Sequence, residues 1–262
     1  MKNLLVLCAA SDSAPTYNCK MFLAQLRERG ASIQVVKATA DAALTRNNQA
    51  GLAAKLLEGD KSLDWVLWLD WDMSAAVDAV SLLMVTALSL AAGDTVVPNV
   101  SGSYVNRHSA EGSSLLSAFA IKQAQVVVVT LETERKDFPS ELSVVPALTG
   151  MGCLLQHRSS FLAHCIESEQ FTYPKHPDLL PCVCQPHVSH ASEMGQYLEL
   201  KPDDESLYWI GEDFDYCMRE FDMGRPVYVS PVQFGHDSVV RLMPDSSTIF
   251  PGLRQPSDVV DS

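Results

Sequence analysis

The stretch that decides the fold is Val66-Leu67-Trp68-Leu69-Asp70-Trp71-Asp72-Met73, an apolar run that ends abruptly in two carboxylates. Trp65 to Leu69 has the length and continuous hydrophobicity of a strand buried on both faces. Strand side chains alternate, so Asp70 and Asp72 are expected on one face with Trp71 on the other. The same kind of run occurs at Leu4 to Ala9, and a shorter one at Ile33 to Val36. Between them, Pro15-Thr16 opens a helix that continues to about Arg29 and stops at Gly30. Thr45 to Leu57 reads as a second helix with Gly59 after its end. Ser74 is positioned to cap an apolar helix stopped by Gly93, and Thr95 to Val97 reads as a fourth strand. Strands alternating with helices predict an α/β fold, a Rossmann-like, mainly parallel sheet with flanking helices.

The rest of the chain is less regular. Ser101 to Ser114 is rich in Ser and Gly and reads as a loop, with Arg107 and His108 on it. Val126 to Leu131 and the run after Gly150-Met151-Gly152 are β-rich. Residues 174–202 hold five of the 14 prolines and read as an irregular insertion. Tyr208 to Phe221 enters a helix, Val227 to Phe234 is a final strand, and residues 241–262 form a tail. The expected organisation is a single domain over 1–240, divided near residue 100 into an α/β half (1–100) and a mixed half (101–240).

The composition narrows the class. The chain has 262 residues, 47% hydrophobic and 19% charged, long enough to bury a full core without staples. Its net charge of -13 argues against a broad nucleic-acid-binding face. Ala75 to Ala92 is the longest apolar stretch, but Asp78, Ser81, Thr86 and Ser89 interrupt it, so it reads as a buried helix rather than a membrane span. The first residues read as a strand, not a signal peptide. Seven cysteines without an export signal suggest reduced thiols and a cytoplasmic protein.

Three motifs carry chemistry. Two carboxylates at the carboxyl end of a strand lie where open α/β sheets bind ligands. They repel each other unless a cation lies beside them, and a hard ion such as Mn²⁺ or Mg²⁺ with a diphosphate suits oxygen ligands. The plainer reading is a helix cap. Gly211-Glu212-Asp213 opens a helix whose Phe214, Cys217, Met218 and Phe221 share a face. Its acids are either dipole partners or a general base. Asp215 and Arg219 read as a structural i, i+4 pair. His236 follows a strand end and is either a surface residue or a metal ligand. His164, Cys165, His176, Cys182, Cys184, His187 and His190 crowd one segment. Their intervals match no standard zinc finger, so reduced thiols in a loop are the preferred reading and zinc the alternative. Arg241 and Arg254 are tail residues.

Taken as a set and in this order, Asp70-Trp71-Asp72, Gly150-Met151-Gly152-Cys153, Gly211-Glu212-Asp213 and His236 resemble nucleotide-sugar glycosyltransferases of the GT-A fold. The resemblance covers roughly residues 1 to 240. It implies a nucleotide-diphosphate-sugar donor, Mn²⁺ or Mg²⁺ as cofactor, and inverting transfer to an acceptor hydroxyl. The acceptor remains open: a glycan, a small molecule, a protein or a hydroxylated base in phage DNA. On the matching positions, the resemblance implies Asp72 and His236 as metal ligands, with Asp70 shared between metal and donor. Donor contacts are expected from Ala9, Ser11, Asp41, Arg46, Asn47, Gly150 and Gly152. Asp213, with Glu212 beside it, is implied as the base. Two alternatives stand beside this reading. A sugar-phosphate nucleotidyltransferase would want a Gly-rich basic loop after the first strand, which Leu7-Cys8-Ala9-Ala10-Ser11 lacks. A silent nucleotide-sugar-binding module would not need all three motifs.

Overall fold

The computed structural model describes residues 1–10, 15–91, 96–105, 118–132, 136, 138–172, 179–201 and 203–237. In chain order the first half runs β1 (Leu4–Ala10), α1 (Tyr17–Glu28), β2 (Ser32–Lys37), α2 (Ala42–Gly59), β3 (Trp65–Asp70), β4 (Met73–Ser74), α3 (Val77–Leu90) and β5 (Val100–Ser103). The second half continues with β6 (Ala118–Ala120), β7 (Val127–Thr130), β8 (Glu141–Thr149), β9 (Cys153–His157), α4 (Arg158–Glu167), β10 (Gln170–Thr172) and β11 (Leu179–Pro181). It ends with β12 (His187–His190), α5 (Ala191–Met194), β13 (Leu207–Ile210), α6 (Glu212–Asp222), β14 (Tyr228–Gln233) and β15 (Gly235–His236).

The central sheet has the order β2-β1-β3-β9-β5-β14-β8-β6, with β7 also on β8. β1 pairs parallel with β2 and β3, and β14 pairs parallel with β5. β9 enters antiparallel between β3 and β5, and β8 lies antiparallel to β14. All strands except β8 and β9 therefore point the same way, giving the mainly parallel α/β sheet that the sequence pattern predicts.

Helices cover both faces, which explains the unbroken apolar runs. Leu4, Val6 and Cys8 of β1 pack with Trp65, Leu67 and Leu69 of β3 against α1 and α3. Leu5, Leu7, Val66 and Trp68 pack on the opposite face with α2, α4 and α6. β1 and β3 each feed both cores, so neither keeps a polar face. At roughly 1.5–3 kcal/mol per fully buried large apolar side chain, this burial is the main source of stability. Two core polar groups are matched: Trp68 Nε1 donates to Gln156, whose amide nitrogen donates to Tyr216. No described helix is long and apolar enough to cross a membrane, and all seven cysteines are free.

Several boundaries differ from the sequence expectations, each for a tertiary reason. Ser74 does not cap α3. It pairs with Gly235 in a two-residue ribbon, and α3 starts three residues later with no side-chain cap. The fourth strand starts at Val100 instead of Thr95, after Pro98, which has no N–H for a ladder. β5 consequently takes the first residues of the Ser/Gly segment into the sheet, and Ser101 and Ser103 are buried. Tyr208 belongs to β13, which pairs with β12, so helical structure begins only at Glu212. Gly59 is the last residue of α2 rather than the residue beyond it. Residues 174–202 are not uniformly irregular: β11, β12 and α5 fall within them, tied by backbone pairing to β10 and β13. Ser11, Gly93, Arg107, His108, His176, Arg241 and Arg254 lie outside the described residues.

Candidate active site

β1 and β3 deliver Ala9 and Asp70 to the same level, as register partners at the carboxyl ends of the parallel strands. Ala9 is buried backbone there. The strand ends at Asp70, so the alternation expected to put Asp70 and Asp72 on one face stops between them. The two aspartates instead meet different partners.

Asp70 meets a cation. Arg46 rises from the first turns of α2, 7% exposed, and its Nη2 donates to Asp70 Oδ1 at 2.8 Å. The Nε of the same guanidinium lies 3.7 Å from Asp213 Oδ1. A planar guanidinium can face two carboxylates at once because its donors point along several edges. Three residues drawn from α2, β3 and α6 thus form one charged cluster, and their charges hold the Arg46 side chain firmly protonated.

Asp213 is the second residue of α6, a helix capped by Gly211 without a side-chain bond. Its carboxyl is pushed up from 3.8 to about 6, chiefly by burial, against the pull of Arg46 and with Glu212 and Asp70 adding like charge. A helix N-terminus favours the charged form of an acid, but burial outweighs that effect here. Asp213 Oδ1 has no hydrogen-bond partner among the described residues, while the backbone N–H of Met151 supports the carboxylate. A poised, incompletely bonded carboxylate is what a general base requires.

Asp72 meets His236. The turn after β3 leads into β4, which pairs with β15 so that His236 lies opposite Met73. The Asp237 N–H donates to the Asp72 carbonyl at 2.7 Å. His236 Nε2 then lies 3.5 Å from Asp72 Oδ2, with both side chains buried. His236 Nδ1 faces the Val105 carbonyl at 2.8 Å. A carbonyl only accepts, so Nδ1 carries the hydrogen and, in a neutral ring, Nε2 presents a lone pair toward the carboxylate. Two lone-pair donors facing each other at this separation fit a divalent cation between them. No three His, Cys, Asp or Glu side chains among the described residues converge on one point. A divalent ion held there would have to take its remaining ligands from groups other than His, Cys, Asp and Glu side chains of the described residues.

Tyr104 joins the two groups, and the sequence reading missed it. Its ring lies edge-on to His236 at 5.9 Å, and its hydroxyl accepts from the Gly152 N–H at 3.2 Å. A Cβ on Gly150 would stand 2.1 Å from that hydroxyl and 3.3 Å from Asp213 Oδ2. A Cβ on Gly152 would meet Asp70 Oδ2 at 3.2 Å. The two glycines therefore make room for Tyr104 and the carboxylates. The clue in the sequence was the Gly-X-Gly pair itself; the residue filling the space sits in the segment read as a loop.

The other expected residues are placed as follows. Asp41 caps α2, its Oδ1 accepting from the Leu44 N–H at 3.0 Å. Asn47 is buried, accepting from the Val183 N–H at 2.9 Å and donating to the Cys184 carbonyl at 3.1 Å. Glu212 adjoins Asp213 and acts on it by charge. Asp215 pairs with Arg219 at 2.8 Å, as the spacing predicts, and is buried where it also receives the Gln185 N–H at 2.7 Å. In the Cys/His segment, both nitrogens of His164 are engaged, with Glu220 at 2.6 Å and the Val183 carbonyl at 2.9 Å. Burial raises the thiols of Cys165, Cys182 and Cys184.

Solved structures align with the chain at low identity. A197 from STIV aligns at 12% identity with a TM-score of 0.48, over 97% of this chain and 99% of that one. A glycosyltransferase involved in the glycosylation of the major capsid of PBCV-1 aligns at 12% identity and a TM-score of 0.32, over 61% of this chain and 62% of its own. The nucleoside-diphosphate-sugar pyrophosphorylase from Vibrio cholerae RC9 aligns at 12% identity and a TM-score of 0.32, over 86% and 71%. No protein-family model matches the chain, and no curated protein matches it significantly.

Proposed function

We propose that the protein is a metal-dependent glycosyltransferase that moves a sugar from a nucleotide-diphosphate sugar to an acceptor hydroxyl, with inversion. The observation that carries this reading is the juxtaposition of a poised carboxylate, Asp213, with the Asp72–His236 pair across Tyr104. In this reading Asp213 accepts the proton of the acceptor hydroxyl as its oxygen bonds to the anomeric carbon. The bond from that carbon to the diphosphate oxygen breaks, and the nucleoside diphosphate leaves with the electron pair. Arg46 holds Asp70 and Asp213 at a fixed separation, so the base and the donor side move together. Asp72 and His236 would hold Mn²⁺ or Mg²⁺, which when bound offsets the charge gathering on the diphosphate. Tyr104, seated against Gly150 and Gly152, fills the space between the two groups.

Calorimetry with UDP-, GDP-, ADP-, CDP- and dTDP-sugars, with and without Mn²⁺, tests the reading. At least one donor should bind in a Mn²⁺-dependent manner, and Asp72→Asn should abolish that dependence while the melting transition stays cooperative. Unchanged Mn²⁺-dependent affinity in the variant would overturn the assignment.

A further inference from the structure

A cavity of about 440 Å³ opens beside the start of α2, with a lining that shares no residue with the Asp70–Arg46–Asp213 cluster. Asp41 and Leu44 from the start of α2 line it together with Glu169, Phe171, Cys184 and Gln185. This volume is typical of small-molecule sites. Its chemistry is selective. Among the described residues no Lys, Arg or His lines it, whereas two carboxylates, several side-chain amides and one aromatic ring do. Phosphate and sulfate need cations or free N–H groups. The obvious N–H source, the first turn of α2, is already occupied by the Asp41 carboxylate, which sits where an anion would bind. Carboxylate and amide groups do match hydroxyls, which both donate and accept, and Phe171 offers an apolar surface for the C–H face of a ring.

The cavity is also tied to the transfer centre. Its Cys184 thiol lies in the field of Asp213 and Arg46. Asn47, next to Arg46 in sequence, anchors the backbone of Val183 and Cys184. Gln185 is anchored by its N–H to Asp215, two residues beyond Asp213. The wall of the cavity is therefore pinned to the two helices that carry the base and its positioning arginine.

We propose that this cavity is the acceptor subsite, and that the acceptor it takes is an uncharged saccharide. The acceptor role rests on the transferase reading above; the ligand class rests on the lining alone. Saturation-transfer NMR on the full chain, without donor, tests it with methyl glycosides of glucose, galactose, mannose and N-acetylglucosamine, and with glucose 6-phosphate as the anionic counter-probe. At least one methyl glycoside should bind in the millimolar range, and glucose 6-phosphate more weakly than methyl glucoside. The surface double variant Phe171→Ala/Gln185→Ala should lose at least about 10-fold in glycoside affinity, and Glu169→Gln a smaller factor, while Mn²⁺-dependent binding of nucleoside diphosphate stays within about twofold. No glycoside binding, equal binding by the double variant, or preference for the phosphate overturns the proposal. A double variant that instead loses nucleoside diphosphate makes the cavity a nucleoside site and overturns it too. If glycosides bind and the variant loses them while no nucleotide sugar binds the wild type, the transferase reading fails and the saccharide site stands.

Discussion

Asp213→Asn sets chemistry against stability in a single substitution. The side chain keeps its shape and loses its charge. Burial, opposed by Arg46 and reinforced by Glu212 and Asp70, lifts the carboxyl from 3.8 to about 6 in the folded chain. Below about pH 3 the group is protonated both folded and unfolded, so it contributes no difference. As pH rises from 3.8 toward 6, the unfolded chain releases the proton first and the folded state weakens; above about 6 the penalty is complete. At about 1.36 kcal/mol per pH unit, the gap is worth about 3 kcal/mol at neutral pH. Asn carries no such penalty, although Arg46, left with Asp70 alone, takes back part of the gain. For a chain of this size about 1 kcal/mol moves the melting temperature by roughly 2–4 °C, so the variant should melt about 3–8 °C higher at about pH 7.5 and with no gain at about pH 3. Transfer should fall by about 10²–10⁴-fold, the usual worth of a general base. Scanning calorimetry at both pH values and a transfer assay measure the two arms. A variant that melts lower at pH 7.5, or shifts equally at both pH values, refutes the electrostatic account. Retained transfer refutes the role as base.

The wild-type transfer rate should rise with pH through a midpoint near 6 and then level off, because Asp213 must lose its proton to accept another; a rate that falls through this range contradicts the assignment. Gly150→Ala forces a methyl to within 2.1 Å of the Tyr104 hydroxyl, so it should inactivate the enzyme and lower stability by about 1–3 kcal/mol in denaturant melts. Gly59→Ala, with nothing within 4 Å of the added carbon at the end of α2, should instead raise stability by about 0.5–1 kcal/mol. His164→Ala strips one partner from buried Glu220, which keeps Arg225 and Asn99, and urea unfolding should show a loss of about 1–3 kcal/mol.

Much of the sheet was legible because burial on both faces leaves a continuous apolar signature. Leu4–Ala10 and Trp65–Asp70 carry it, and the Thr16 cap and Gly30 stop bracket α1 as predicted. Ser74 misled because a good capping residue also suits a strand, and only the presence of Gly235 across from it decides which. The buried acids of α6 were hidden in another way. Asp215 and Glu220 look like a solvent face, but the Gln185 N–H joins Arg219 on Asp215, and His164 and Asn99, from distant segments, join Arg225 on Glu220.

By itself the sequence determined the α/β alternation, the placing of an Asp-X-Asp pair after the third strand, and the acids at the start of a late helix. These depend on local periodicity and on caps, which a chain carries in its nearest neighbours. Tertiary structure alone decided who meets whom. The two-residue ribbon of Met73–Ser74 with Gly235–His236 brings His236 to Asp72 across more than 160 residues. The fold brings Arg46 of α2 within reach of both Asp70 of β3 and Asp213 of α6, so one guanidinium is shared between them. The entry of β5 into the sheet sets Tyr104 between them. Such contacts depend on distances between segments far apart in the chain, and no periodicity within any one segment records them.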